Sequence, residues 1–320
     1  MIKQAEKKLD PNLILNSQVA QALTVIGDRW AFMIIRDVYL GVRQFEELRR
    51  RSDAARGTLT SRLKRLVQHG ILYKNPYQNS PVRYEYRLTD KGLDLYPIVL
   101  TMWAWETKWG QGRYLPPELI HNDCGQSLRP LFRCRSCHLE IMPQDVVFTP
   151  GRSASLAKKV PARFQRRSKS KDENKRSEES FTIFSVIGDR WTSLVIAAAF
   201  FGLQRYDEIV SSIGIATNIL ADRLKVLVNV GVLVRRPYQE RPVRYEYHLS
   251  DKGRDLYANT VAMHEWANRW LIDKGKEPLR LRHAPCNKPF RSELVCSACE
   301  KPLKAADVSY DRELRQRKAV

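Results

Sequence analysis

Apolar residues between positions 17 and 26, namely Val19, Ala22, Leu23 and Ile26, recur at a helical period. A second periodic stretch, 29–39, follows Asp28, a residue type that caps helices, and meets Gly41 as its stop. Residues 44–50 put Phe45 and Leu48 on one face, and 58–69 do the same with Leu59, Leu63 and Leu66 before Gly70. The pattern then changes to alternation. Residues 71–73 and 83–88 read as strands joined by the proline-bracketed turn 75–81, and Thr89 caps a long final helix predicted over 90–109. A short helix, a tight turn, a second helix and a hairpin make a winged helix-turn-helix, whose second helix enters the DNA major groove.

The whole pattern occurs twice. Gly27-Asp28-Arg29-Trp30 returns as Gly188-Asp189-Arg190-Trp191. The same offset carries Pro81-Val82-Arg83-Tyr84-Glu85-Tyr86 onto Pro242-Val243-Arg244-Tyr245-Glu246-Tyr247, and Trp105 and Trp109 onto Trp266 and Trp270. Two copies of so long a unit mean a duplicated domain, since solenoids use shorter periods and more copies. The predicted organisation is an arm over 1–14, a winged helix over 15–115 and a Cys/His segment over 116–150. A second winged helix over 179–277, a second Cys/His segment over 278–312 and a tail over 313–320 follow. Residues 151–178 between the copies are basic, polar and poor in aliphatic side chains, and read as a flexible linker. The expected fold class is mainly α with small β-hairpins.

Charge narrows the partner. With 55 Lys and Arg against 35 Asp and Glu, the 320 residues carry a formal +20 at pH 7, a field that draws polyanions. No apolar run is long enough to span a bilayer, and MIKQAEKKLD has no signal-peptide core, so a cytoplasmic protein without a membrane partner is expected. Double-stranded DNA fits better than RNA. RNA readers display aromatics on an open sheet, whereas the aromatics here fall on helices and a two-stranded hairpin. Neither a glycine-rich phosphate loop nor a nucleophile–base constellation is present, and no enzyme activity is expected.

All six cysteines fall in two clusters, His121-x2-Cys124-x9-Cys134-x2-Cys137 and His283-x2-Cys286-x9-Cys296-x2-Cys299. Two pairs of soft ligands at this spacing can close a tetrahedron around Zn²⁺, and four protein ligands leave no position for reacting water. The expectation is therefore two structural zinc sites, one per repeat, each formed within its own cluster. Redox chemistry of the Cys-x2-Cys thiols is the competing reading, and an RNA- or protein-binding module is a further alternative for the whole chain. His138 has no counterpart, since Glu300 stands in the second copy, and is not expected to ligate.

The candidate DNA contacts lie on the recognition helices and wings. Thr58, Thr60, Ser61 and Lys64 occupy the polar side of the first recognition helix, and Thr217, Asn218 and Lys225 that of the second. Hydroxyls and an amide reach base edges or phosphates, and lysines bind phosphate. Arg62 and Arg223 have two readings, a DNA contact or an internal ion pair with a carboxylate. Arg83 and Arg244 sit on the wings, where arginine suits a narrow minor groove. The two recognition helices differ at most outward positions, so an asymmetric operator is expected, with half-sites about one helical turn apart. Met102, Trp105 and Trp109, repeated as Met263, Trp266 and Trp270, form a stripe expected in a core or a dimer seam; a ligand pocket between these helices and the wing is the other reading.

The run GDRW, G-x-x-x-F-x-E-L, T-L-x-x-R-L-x-x-L, G-I-L and P-x-R-Y-E-Y-x-L-T-x-x-G resembles the HxlR family of bacterial regulators, once over 15–110 and again over 180–270. The resemblance implies a MarR-like winged helix that dimerises through its terminal helices and acts on near-palindromic operators, more often as a repressor than an activator. The repeats would then pair within one chain as a pseudo-dimer, or between two chains, and a small-molecule effector would be a further partner. Some members of the family sense thiol-reactive compounds through a cysteine about thirteen residues before the tryptophan. Ser17 and Glu178 stand there in this chain, so that mechanism is not expected.

Overall fold

A computed structural model describes residues 12–52, 54–110, 116, 118–151 and 182–309. The linker assigned to 151–178 lies, apart from Gly151, outside the described residues, as do most of the arm and the C-terminal tail.

In the first repeat Ser17 accepts the backbone N–H of Ala20 and starts α2 (Gln18–Ile26), and Asp28 accepts that of Ala31 and starts α3 (Arg29–Tyr39). Helices α4 (Phe45–Ser52) and α5 (Arg56–Gln68) follow, the latter burying Leu59, Leu63 and Leu66 against α3. Gly70 adopts φ +67°, which lets the chain reverse out of α5 into the hairpin without the penalty a side chain would incur. The second repeat repeats this order with α8 (Thr182–Ile187), α9 (Arg190–Phe200), α10 (Tyr206–Ile213) and α11 (Thr217–Asn229). Before both, α1 (Asn12–Asn16) packs on α9 and α10 of the second repeat, with Leu13 and Ile14 buried.

Two predicted elements differ from the structure. The wings are longer than expected: β1 (Leu72–Asn79) pairs with β2 (Val82–Leu88), and β6 (Leu233–Glu240) with β7 (Val243–Leu249). Pro76 and Pro237 do not end the first strands, because each sits at a register shift that leaves the next tyrosine unpaired. The helix expected over 90–109 is broken into α6 (Asp90–Leu93) and α7 (Tyr96–Trp109), with Pro97 accommodated in the first turn of α7. Its counterpart breaks likewise into α12 (Asp251–Arg254) and α13 (Tyr257–Trp270).

The tryptophan stripe lies at the seam between the repeats. Trp105 Nε1 donates to the Lys252 carbonyl at 2.9 Å, and Trp266 Nε1 to the Lys91 carbonyl at 3.1 Å. Trp109 and Trp270 donate to Asp255 and Asp94 at 2.7 and 2.8 Å, with Lys108 and Arg269 paired to the same carboxylates. Each terminal helix thus closes over the other repeat. In the centre, Asn259 donates to the Ile98 carbonyl and to Thr101 Oγ1, so the apolar seam also has a fixed register.

His264 is fully enclosed near this seam, with Nε2 facing the Asn268 amide at 2.9 Å, and burial pushes its pKa down to about 4. The unfolded chain takes up this proton first, so stability is intact above about pH 6.5 and is lost as pH falls toward 4, by roughly 3 kcal/mol in all. His264→Gln is expected to flatten that part of a urea-denaturation pH profile; an unchanged profile would exclude His264 as its source.

Candidate DNA interface and paired metal centres

The Cys/His segments do not fold separately. Strand β4 (Pro130–Cys134) pairs antiparallel with β10 (Ser292–Cys296), opposing Phe132 to Leu294 and Cys134 to Ser292. Around this ladder, β3 (Ile120–His121) pairs with β11 (Val308–Ser309), and β5 (Val146–Pro150) pairs with β8 (Leu279–His283), which also holds β9 (Lys288–Pro289). Buried Phe132, Leu128, Leu294, Phe290 and Leu303 supply the apolar contacts, and Arg133 bridges across to Glu293 and Glu300 at 2.8 and 3.0 Å.

This pairing redistributes the ligands. Among the described residues, one group able to hold a metal ion is His121, Cys124, Cys296 and Cys299, and the other is Cys134, Cys137, His283 and Cys286. All eight predicted ligands are used, but the expectation of one site within each repeat is corrected: each group takes two ligands from each repeat. The physical reason is the β4–β10 ladder. It carries Cys134 and Cys296 to opposite ends of an antiparallel pair, each toward the other segment's His-x2-Cys turn.

Within the first group, His121 Nδ1 lies 3.3 Å from both Cys124 and Cys299 Sγ, and Cys124 Sγ lies 3.9 Å from Cys296 Sγ. The second group matches it, with His283 Nδ1 3.4 Å from Cys286 and 3.3 Å from Cys137, and Cys134 3.9 Å from Cys286. All six thiols are free of disulfides. The residue after each ligand pair is left-handed: Gly125, His138, Asn287 and Glu300 have φ between 57° and 66°. His138 is thus a turn residue, exposed and 3.5 Å from Glu293, and belongs to neither group.

The recognition helices are held by the repeated Gly-Asp-Arg-Trp. Asp28 caps α3 and also accepts Nε of Arg62 at 3.0 Å, while Asp189 caps α9 and accepts Nε of Arg223. Of the two readings of Arg62 and Arg223, the internal ion pair is the one seen, each side chain at most 17% exposed. The two aspartates also meet each other. Their backbones form an antiparallel bridge, and Arg29 N–H donates to the Gly188 carbonyl at 3.0 Å. One short segment thus starts a core helix, grips the recognition helix and joins the repeats. The cap and, as one of two readings, the arginine–carboxylate pair are legible in the sequence; the bridge between the repeats is not, and the exact recurrence of an acid beside Arg-Trp is its available signal.

The remaining candidates face outward. Thr60, Ser61 and Lys64 on α5 and Thr217, Asn218 and Lys225 on α11 are exposed, and Thr58 is half-buried. The Thr60 hydroxyl donates to the Arg56 carbonyl at 2.8 Å, which leaves its oxygen as an acceptor. Arg56 itself is paired with Glu46 at 2.9 Å, and Arg49 with Arg56 holds that carboxyl below the usual carboxylate range. Arg83 and Arg244 are exposed on the wings, the latter within 3.9 Å of Asp207. The two faces differ in charge as well, because Asp222 stands where the first helix has Ser61.

A family model described as HxlR-like helix-turn-helix matches residues 25–114 and again 186–274, more than half of the chain. The chain belongs to this HxlR-like family. Its relatives include Rv3095 of Mycobacterium tuberculosis, an uncharacterized HTH-type transcriptional regulator, 36% identical over 124 residues that make 39% of this chain and 78% of that protein. The HTH-type transcriptional regulator YodB of Bacillus subtilis is 36% identical over 88 residues, 27% of this chain and 79% of YodB. Its reduced form, a solved structure, covers 28% of this chain and 89% of its own at 35% identity, with a TM-score of 0.26. The family is one of transcriptional regulators and not of enzymes, and DNA binding is implied by membership. No helix among the described residues is long and apolar enough to cross a membrane. Both metal-ligand groups lie outside the two matched regions of this HxlR-like chain. Ser17, standing where some members carry a reactive cysteine, spends its hydroxyl on the Ile14 carbonyl and on capping α2.

Proposed function

We propose that one chain works as a complete, built-in dimer: a sequence-specific regulator of transcription that occupies an asymmetric operator on double-stranded DNA and blocks polymerase there. The observation that carries this reading is the backbone bridge between Asp28 and Asp189, each of which also holds the arginine of its own recognition helix. Such a link sets the two helices in a mutual geometry without a second chain. Their outward residues differ, with Thr60, Ser61 and Lys64 on one and Thr217, Asn218 and Lys225 on the other, so unlike half-sites are favoured. The +20 charge supports a polyanionic partner.

The metal groups fit zinc. A tetrahedral ion with Zn–S bonds of about 2.3 Å separates thiolate ligands by about 3.8 Å, close to the 3.9 Å seen in both groups. Bound zinc supplies a structural cross-link and no reactive position. Each ion would join the two repeats, so the Cys/His segments would clamp the pair of winged helices into one unit.

Arg83 and Arg244 are assigned to the groove beside each half-site. Replacing either by Ala is expected to weaken binding to a selected operator by roughly 1–3 kcal/mol while the fold is kept. The experiment is selection of genomic fragments on the purified protein, followed by titration of wild type and variants at two salt concentrations. Unchanged affinity and an unchanged salt slope would remove both arginines from the interface.

A further inference from the structure

A cavity of about 480 Å³ lies in the first repeat between α3, the base of the β1–β2 wing and α7. That is room for a small organic molecule. Its walls are largely apolar and aromatic, with Phe32, Tyr39, Tyr96 and Trp103 facing it. The remaining wall comes from distant parts of the chain, Phe184 of α8 and Ala306 just before β11. Burial keeps the Tyr39 and Tyr96 hydroxyls protonated far above neutral pH, and neither adds negative charge.

The charged lining is mainly cationic. Arg36, Arg43 and Arg87 border the cavity against one carboxylate, that of Glu106. Glu106 is already engaged, accepting the backbone N–H groups of Thr182 and Ile183 at 3.2 and 2.7 Å. Arg87 is paired with Glu85, but Asp37 is shared between Arg36 and Arg51, and a positive excess remains there. Planar guanidinium groups bordering a cavity with aromatic walls suit a flat anion.

The second repeat lacks this site. At the matching positions Ala197 replaces Arg36, Gln204 replaces Arg43, His248 replaces Arg87 and His264 replaces Trp103. The corresponding space is only about 50 Å³, and Phe148 and Phe201 meet edge-on beside it with ring centroids 4.6 Å apart. A void that were merely a packing fault of the fold would be expected in both copies.

We propose that the first-repeat cavity is a ligand site, one per chain, for a flat and mainly apolar molecule bearing one anionic group, an aromatic carboxylate in its simplest form. Binding is read on the protein without DNA, so its failure leaves the operator reading intact, and the reverse holds. The experiment is isothermal titration of the full chain with naphthoate and, separately, with the neutral naphthalenemethanol. One equivalent of naphthoate per chain is expected, with the alcohol at least about tenfold weaker. Val99→Phe, which fills the cavity from α7, should abolish binding, while Thr260→Phe at the matching place in the second repeat should not. Ala306→Trp fills it from the opposite wall and replaces Val99→Phe if circular dichroism shows that variant unfolded. Arg43→Gln with Arg87→His should shrink the preference for the anion to under about threefold. No naphthoate binding, equal affinity for the alcohol, two equivalents per chain, or binding that survives both filling variants would each overturn the proposal.

Discussion

Exchanging Cys124 and Cys296 together for serine is expected to leave one zinc ion per chain, whereas exchanging Cys124 and Cys134 together is expected to leave none. Both double variants remove two thiols, and in each case one comes from each half of a Cys/His spacing. Only the partition of the ligands separates them. Cys124 and Cys296 belong to one group and Cys134 to the other, so the first variant abandons a single site and the second disables both. If each repeat closed its own tetrahedron, the two outcomes would be exchanged. Metal content by plasma mass spectrometry on the purified chains decides it. The loss is also a large stability effect, because binding energy of order 10 kcal/mol per structural zinc is folding energy for the segment that holds it. The chain with no metal should therefore lose the β4–β10 ladder and melt well below the chain with one ion.

Asp28→Ala is expected to lower stability by roughly 2–4 kcal/mol in urea denaturation, more than a cap alone is worth. The carboxylate satisfies the first turn of α3 and the guanidinium of Arg62, whose side chain is only 14% exposed. Removing it takes that partner from a largely buried cation, and the partial exposure of both groups keeps the loss below that of a fully buried pair. Asp28→Asn retains the cap and loses the charge, and should fall between. The double variant Asp28→Ala, Arg62→Met should recover part of the loss, since it also removes the charge that Asp28 balanced. A change within about 0.5 kcal/mol for Asp28→Ala would show that the pair anchors nothing.

The helices were readable because their apolar residues keep one face. The bounds predicted for α3 match those observed, and Thr89 caps the following turn as expected. The wing was underestimated because proline normally ends a strand, and the register shift that accommodates Pro76 has no local signature. Arg62 was decidable in principle. It lies three residues after Leu59 and beside Leu63 on α5, at the edge of the buried stripe, where a charged side chain needs a partner. The partition of the metal ligands was not decidable from spacing, since two identical clusters can close within themselves or across each other with the same residues. A weak sign was present in Leu131, Phe132 and Arg133 between Cys124 and Cys134, a stretch with a buried middle residue that needs a strand of similar length beside it; the match is the other segment's β10. Nor could sequence locate the first-repeat cavity, whose walls include Phe184 and Ala306, far from α7 in the chain.

Footprinting of a selected genomic fragment, with the number of chains per site counted by analytical ultracentrifugation, tests the built-in dimer most directly. One chain protecting one discrete site of roughly 20–40 base pairs, with two unlike half-sites about a helical turn apart, is the predicted result. Two chains on a palindrome, or only diffuse protection that vanishes as salt is raised, would contradict it.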